Sequence, residues 1–116
     1  MESCAWAAEF PAAITVCDRD GIIVAMNEGS VATFEADGGR GLVGRNLLDC
    51  HPERARSKLR ALLAAGGTNT YTIERGKVRK LIHQAPWYRG GEVAGLVEIS
   101  FVIPETLPHF VRDAAP

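Results

Sequence analysis

The chain has 116 residues, 47% of them hydrophobic and 23% charged, with a formal net charge of −1. That length suits one domain with one core, and the near-neutral balance gives no electrostatic footing for nucleic acid or an anionic membrane surface. No apolar run approaches the roughly 20 residues of a membrane-spanning helix, and three cysteines without paired spacing argue against a disulfide scaffold, so the sequence predicts a soluble cytoplasmic domain.

The opening "MESCAWAAEFP" lacks the basic start and long apolar stretch of a signal peptide. Two β-branched apolar runs, Ala13–Cys17 and Ile22–Met26, then flank "DRDG", whose aspartates and glycine suit a tight turn. They predict a β-hairpin. Asn27 and Ser30 are placed to cap a short helix around "EGSVATFEA", and the glycine-rich "DGGRG" after it reads as loop. Ala55, Leu59, Leu62 and Leu63 share one face of a helix predicted over residues 52–65, begun by Pro52 and stopped by Gly66 and Gly67. Arg54, Arg56, Lys58 and Arg60 fill its other angles and read as a solvated face.

Three strands follow. "TNTYTIER" is rich in threonine and aromatic character, and "KVRKLIHQAPWY" alternates. The alternation places Leu81, His83, Ala85 and Trp87 on the face expected to meet the core, with Lys80, Gln84 and Tyr88 opposite. "VAGLVEISFVI" is apolar enough for a central strand buried on both faces. Pro104 ends it, and the proline-rich tail suits a short helix or a connector. Two strands, a helical block and three strands linked by hairpins predict an α+β fold with an antiparallel sheet and the helices on one face.

Three segments carry a resemblance. "ITVCDRDGIIVAMNEG" resembles the opening hairpin of a PAS domain, "GRNLLDCHP" the approach to its long helix, and "APWYRGGEVAGLVEIS" its closing hairpin; together they cover about residues 10–103. The resemblance implies one PAS-like domain over 1–116: a five-stranded antiparallel sheet with short helices and one longer helix, an N-terminal segment 1–9 and a tail 104–116. It implies a bacterial sensory module, not an enzyme, that binds a small molecule or cofactor between sheet and helices. The alternative is a cofactor-free module acting as a homodimer or through a protein partner, using the exposed sheet face and Trp6 and Phe10 of "SCAWAAEF". No kinase histidine box, nucleotide loop or DNA-binding helix pair names a downstream effector.

Six residues are candidates for a ligand pocket: Cys50, His51, His83, Trp87, Tyr71 and Phe34. Adjacent Cys50 and His51 cannot alone supply the four ligands of a tetrahedral zinc site, and no third group marks them as a catalytic dyad, so no metal or catalytic residue is expected. A small enzyme or redox protein built on Cys50 is the least favoured alternative. His83 offers a polar group to a cavity, and its charge responds to small changes around it. Trp87, Tyr71 and Phe34 are core or cavity wall. The resemblance also disfavours a flavin photoadduct, because "GRN" is followed by Leu47 and not by cysteine. Haem-sensing members hold the iron from a histidine inside the long helix. Here the interior "ERARSKLRALLAA" has none, which leaves haem only a lesser route through His51.

Overall fold

A computed structural model describes residues 4–113, and the side chain of Cys50 lies outside that description. The order is α1 (Ala5–Ala8), β1 (Ala13–Asp18), β2 (Ile23–Met26), α2 (Glu28–Thr33), α3 (Glu53–Ala65), β3 (Asn69–Arg75), β4 (Val78–Arg89) and β5 (Glu92–Ile103). Short 3₁₀ turns at Glu35–Asp37, Gly39–Leu42 and Leu47–Cys50 fill the stretch between α2 and α3. All strand pairs are antiparallel, in the order β2-β1-β5-β4-β3, so the chain's last strand takes the centre of the sheet.

Local chemistry explains the elements. Asp18 Oδ1 accepts from the N–H groups of Asp20 and Ile22, closing the first hairpin with an aspartate turn. Leu59, Leu62 and Leu63 of α3 are buried against Cys17 and Leu96, which pins the helix to β1 and β5. Gly66 ends α3 in the left-handed region at φ 74°, its N–H bonded to the Leu62 carbonyl. A second cluster, Ile23, Met26 and Leu42, packs with Val31, Phe34 and Leu47 under the 3₁₀ turns. In β4, Pro86 removes no ladder bond, because β3 stops pairing at Gln84.

The structure departs from the sequence reading in several places. Residues 5–8 form a short helix that no periodicity announced. "DGGRG" is partly wound into the 3₁₀ turn Gly39–Leu42, and Ser30 lies within α2 instead of capping it. The tail, residues 104–113, is exposed and has no regular structure, so the short helix does not form there. β5 is central, but Val97 and Ile99 on its outer face are only half-buried. The largest departure is the face of β4. Ile82 and Gln84 are the buried residues, at 8% and 3% exposure, so Leu81, His83, Ala85 and Trp87 point away from the helices.

Asn27 joins three parts of the fold. It is 1% exposed, and its Oδ1 accepts from Ile14 N in β1 and from Ser30 N in the first turn of α2, both at 2.9 Å. Its Nδ2 donates to the carbonyls of Ala7 (3.0 Å) and Ala12 (2.9 Å), holding α1 against the sheet. Close packing supports this joint: a Cβ on Gly29 would overlap the Ala12 carbonyl oxygen. Removing the amide strands two donors and two acceptors in a site without water. Asn27→Ala should therefore lower the unfolding free energy by about 3 kcal/mol or more, seen as a lower urea midpoint, whereas Asn46→Ala, at the half-buried cap of the Leu47–Cys50 turn, should cost about 1 kcal/mol.

Candidate functional site

The register sets the site. Met26, Thr15, Glu98, Gln84 and Asn69 are direct neighbours on successive strands and form one row across the sheet's helix-facing side. The row is mostly polar and internally bonded. Thr15 Oγ1 and Ser30 Oγ of α2 lie 2.5 Å apart, Gln84 Nε2 donates to Glu98 Oε1 at 2.8 Å, and Asn69 Nδ2 donates to Gln84 Oε1 at 2.9 Å. These bonds fix the orientation of the Gln84 amide, since a carboxylate oxygen only accepts.

Over the Thr15–Glu98 part of the row lies a cavity of about 70 Å³. Ile23, Met26, Phe34, Leu42 and Leu47 supply its apolar wall, and Thr15, Glu98, His51 and Asp37 its polar groups. The roof is positioned by "GRN". Gly44 N bonds Ile23 O, Ile23 N bonds Arg45 O and Leu47 N bonds Gly21 O, while Asn46 Oδ1 caps the turn at Leu48 N. That strap over the first hairpin brings Leu47 and His51 to the cavity. His51 Nδ1 lies 2.8 Å from Leu47 O. A carbonyl only accepts, so Nδ1 carries the proton and Nε2 is the ring's remaining polar atom. Arg56 Nε holds the His51 carbonyl at 2.8 Å, fixing the turn before α3.

Beyond Gln84 the same row meets a groove between α3 and β3, lined by His51, Ala55, Leu59, Asn69, Tyr71 and Gln84 among others. His51 is shared by cavity and groove. Burial, then the negative charge of Glu98, pushes the Tyr71 hydroxyl above its ordinary value, so it stays protonated and able to donate.

Of the six candidates, Phe34 and His51 line the cavity, and Tyr71 lines the groove together with His51. The Cys50 side chain is outside the described residues. His83 and Trp87 lie on the opposite side of the sheet. His83 Nδ1 pairs with Thr70 Oγ1 at 2.7 Å, and Trp87 lies over Gly95 with Nε1 donating to Cys17 O at 2.9 Å. A Cβ at Gly95 would overlap both that carbonyl and the indole, so glycine is required there. Sequence reasoning missed Thr15, Glu98, Gln84 and Asn69. The available signal was Gln84 and Glu98 standing at matching places in two adjacent strands of a hairpin.

The chain's family match is decisive: residues 8–106 match the PAS fold. The chain belongs to the PAS family. Solved structures agree on the fold. A C-terminal domain from Streptococcus mutans is 19% identical with a TM-score of 0.69, covering 86% of this chain and 81% of its own. The PAS domain of Bordetella pertussis BvgS is 15% identical (TM-score 0.63; 90% and 85% covered). The Vibrio cholerae Aer2 receptor, described as a dual PAS-haem oxygen sensor, is 17% identical (TM-score 0.60; 80% and 95% covered). No curated protein matches the sequence. Haem does not fit this PAS cavity as it stands: about 70 Å³ is less than half of the roughly 150 Å³ that takes benzene, and a tetrapyrrole is far larger.

Among the described residues no group of His, Cys, Asp and Glu is arranged to hold a metal ion. The buried thiol of Cys17, under the sheet-facing leucines of α3, is pushed above its ordinary 9.0 first by burial and then by the negative charges of Asp18 and Glu98, against a lowering backbone bond from Leu96. The fold thus favours the protonated thiol, and its contribution is complete below pH 9 and lost as pH rises through the folded value. Urea midpoints should fall between pH 8 and pH 10, and Cys17→Ala should show a smaller fall over the same interval.

Proposed function

We propose that the chain is a sensory PAS module that binds a small molecule in the cavity between the sheet and the helices. The observation that supports this most is the cavity itself, with an apolar wall and four polar residues, Thr15, Glu98, His51 and Asp37, at its lining. Its size suits a ligand of few non-hydrogen atoms that donates to the Glu98 carboxylate. Occupancy would act on the Glu98–Gln84–Asn69 chain, which runs from the cavity to β3, and on the His51 turn that leads into α3. A ligand biases such a fold only through different affinities for two packings. No catalytic step is proposed, and the compartment we propose is the cytoplasm, on the unpaired cysteine count.

A second reading is supported by the outer sheet face. Leu81, Ala85, Val97 and Ile99 are half-buried there and Phe101 is 40% exposed, while Trp6 (71%) and Phe10 (49%) are exposed together on and after α1 with ring centroids 6.3 Å apart. Apolar surface of this kind suits pairing with a second copy.

Native mass spectrometry of the full chain separates the two. The first reading expects one small-molecule adduct per chain, lost on Leu47→Phe, which places a ring in the cavity at a half-buried position. A homogeneous empty dimer contradicts the first reading and supports the second.

A further inference from the structure

The groove outside the cavity has a chemistry of its own. Its walls are largely apolar: Pro52, Ala55 and Leu59 from the α3 side face the Tyr71 ring of β3, and its volume is about 300 Å³. Two basic side chains, Arg54 and Lys58, one turn apart on α3, stand along it. The other two basic residues of this helix are occupied, since Glu53 lies within 3.5 Å of Arg56 and 3.7 Å of Arg60. Arg54 and Lys58 meet no carboxylate within ion-pair distance among the described residues. The one helix carboxylate within reach is thus turned to the solvated side, and the groove side keeps two uncompensated positive charges beside apolar wall. Glu98, the acid of the inner row, gives its Oε1 to Gln84, and its charge reaches the groove only at the Tyr71 wall, across from Arg54 and Lys58 on α3.

We propose that this groove binds a small amphipathic carboxylate, its apolar body lying between Ala55, Leu59 and Tyr71 and its head group meeting Arg54 and Lys58. A benzene ring takes a cavity of roughly 150 Å³, so the groove suits about twelve non-hydrogen atoms. Guanidinium and ammonium on adjacent turns bind a carboxylate by charge-assisted hydrogen bonds. An amine of the same shape would be repelled. The site is distinct from the cavity, although His51 is a wall of both.

Isothermal titration of the full chain with decanoate, decanol and decylamine tests this. Decanoate should bind one per chain at about 1 mM or tighter, decanol roughly tenfold more weakly, and decylamine not at all. Arg54→Gln with Lys58→Gln, both at exposed positions, should keep the far-UV circular dichroism, weaken decanoate roughly tenfold and leave decanol unchanged. Equal binding of decanoate and decanol, no saturable decanoate binding, or unchanged affinity in the double variant overturns the proposal. Loss of decanoate binding in Leu47→Phe with full binding in the double variant also overturns it: the ligand is then in the cavity, and the cavity reading survives.

Discussion

The buried amide of Asn27 is the joint on which this fold depends. Four short hydrogen bonds from one side chain, with a longer one to the Phe10 carbonyl at 3.4 Å, tie α1, β1 and α2 together in a site that water does not reach. Asparagine suits the position because its two donors and its doubly accepting oxygen match two carbonyls and two N–H groups. Aspartate would set a carboxylate oxygen against the two carbonyls, and leucine would satisfy none of the four. Once α2 is held there, Ser30 reaches Thr15, and the Ile23–Met26–Leu42 cluster has its lid.

From that joint the site follows by register. β1 lies between β2 and β5, so Thr15 is set beside Glu98, and β4 in turn sets Gln84 beside Glu98. The sheet therefore carries hydrogen-bonding groups along one row of its inner face, between apolar patches that α3 and the 3₁₀ turns cover. A buried polar row is costly unless satisfied. Here each amide has a partner, and no buried side-chain nitrogen or oxygen lacks one among the described residues. Beside the row, the polar groups that remain able to take a ligand include the second Glu98 oxygen, His51 Nε2 and the protonated Tyr71 hydroxyl.

Much of the fold was legible because its signals are local. The aspartate turn, the Asn27 cap, the Leu59–Leu62–Leu63 stripe and the glycine stops each act within a few residues, and the strands lie within two residues of where their patterns put them. The "DCHP" stretch resolved into a 3₁₀ turn ending at Cys50 and a helix beginning after Pro52, with His51 drawn to the cavity by its bond to Leu47. The site was only half legible. Leu81, His83, Ala85 and Trp87 look like a core face by alternation, but alternation gives two faces and does not say which one the helices cover. Here the apolar face is the outer one, and the inner face at Gln84 is polar because the hydrogen-bonded row crosses it. What decides between them is the pairing of Gln84 with Glu98 and the bulge after Trp87, both non-local.

The central claim is that Gln84, not His83, faces the helices. A side-chain nuclear Overhauser map of β4 measures this directly. The account predicts contacts from the Gln84 amide protons to Asn69 and to Leu59 of α3, and from the His83 ring to Thr70 alone among those residues. Contacts from the His83 ring to Leu59, with the Gln84 amide in solvent, would contradict it.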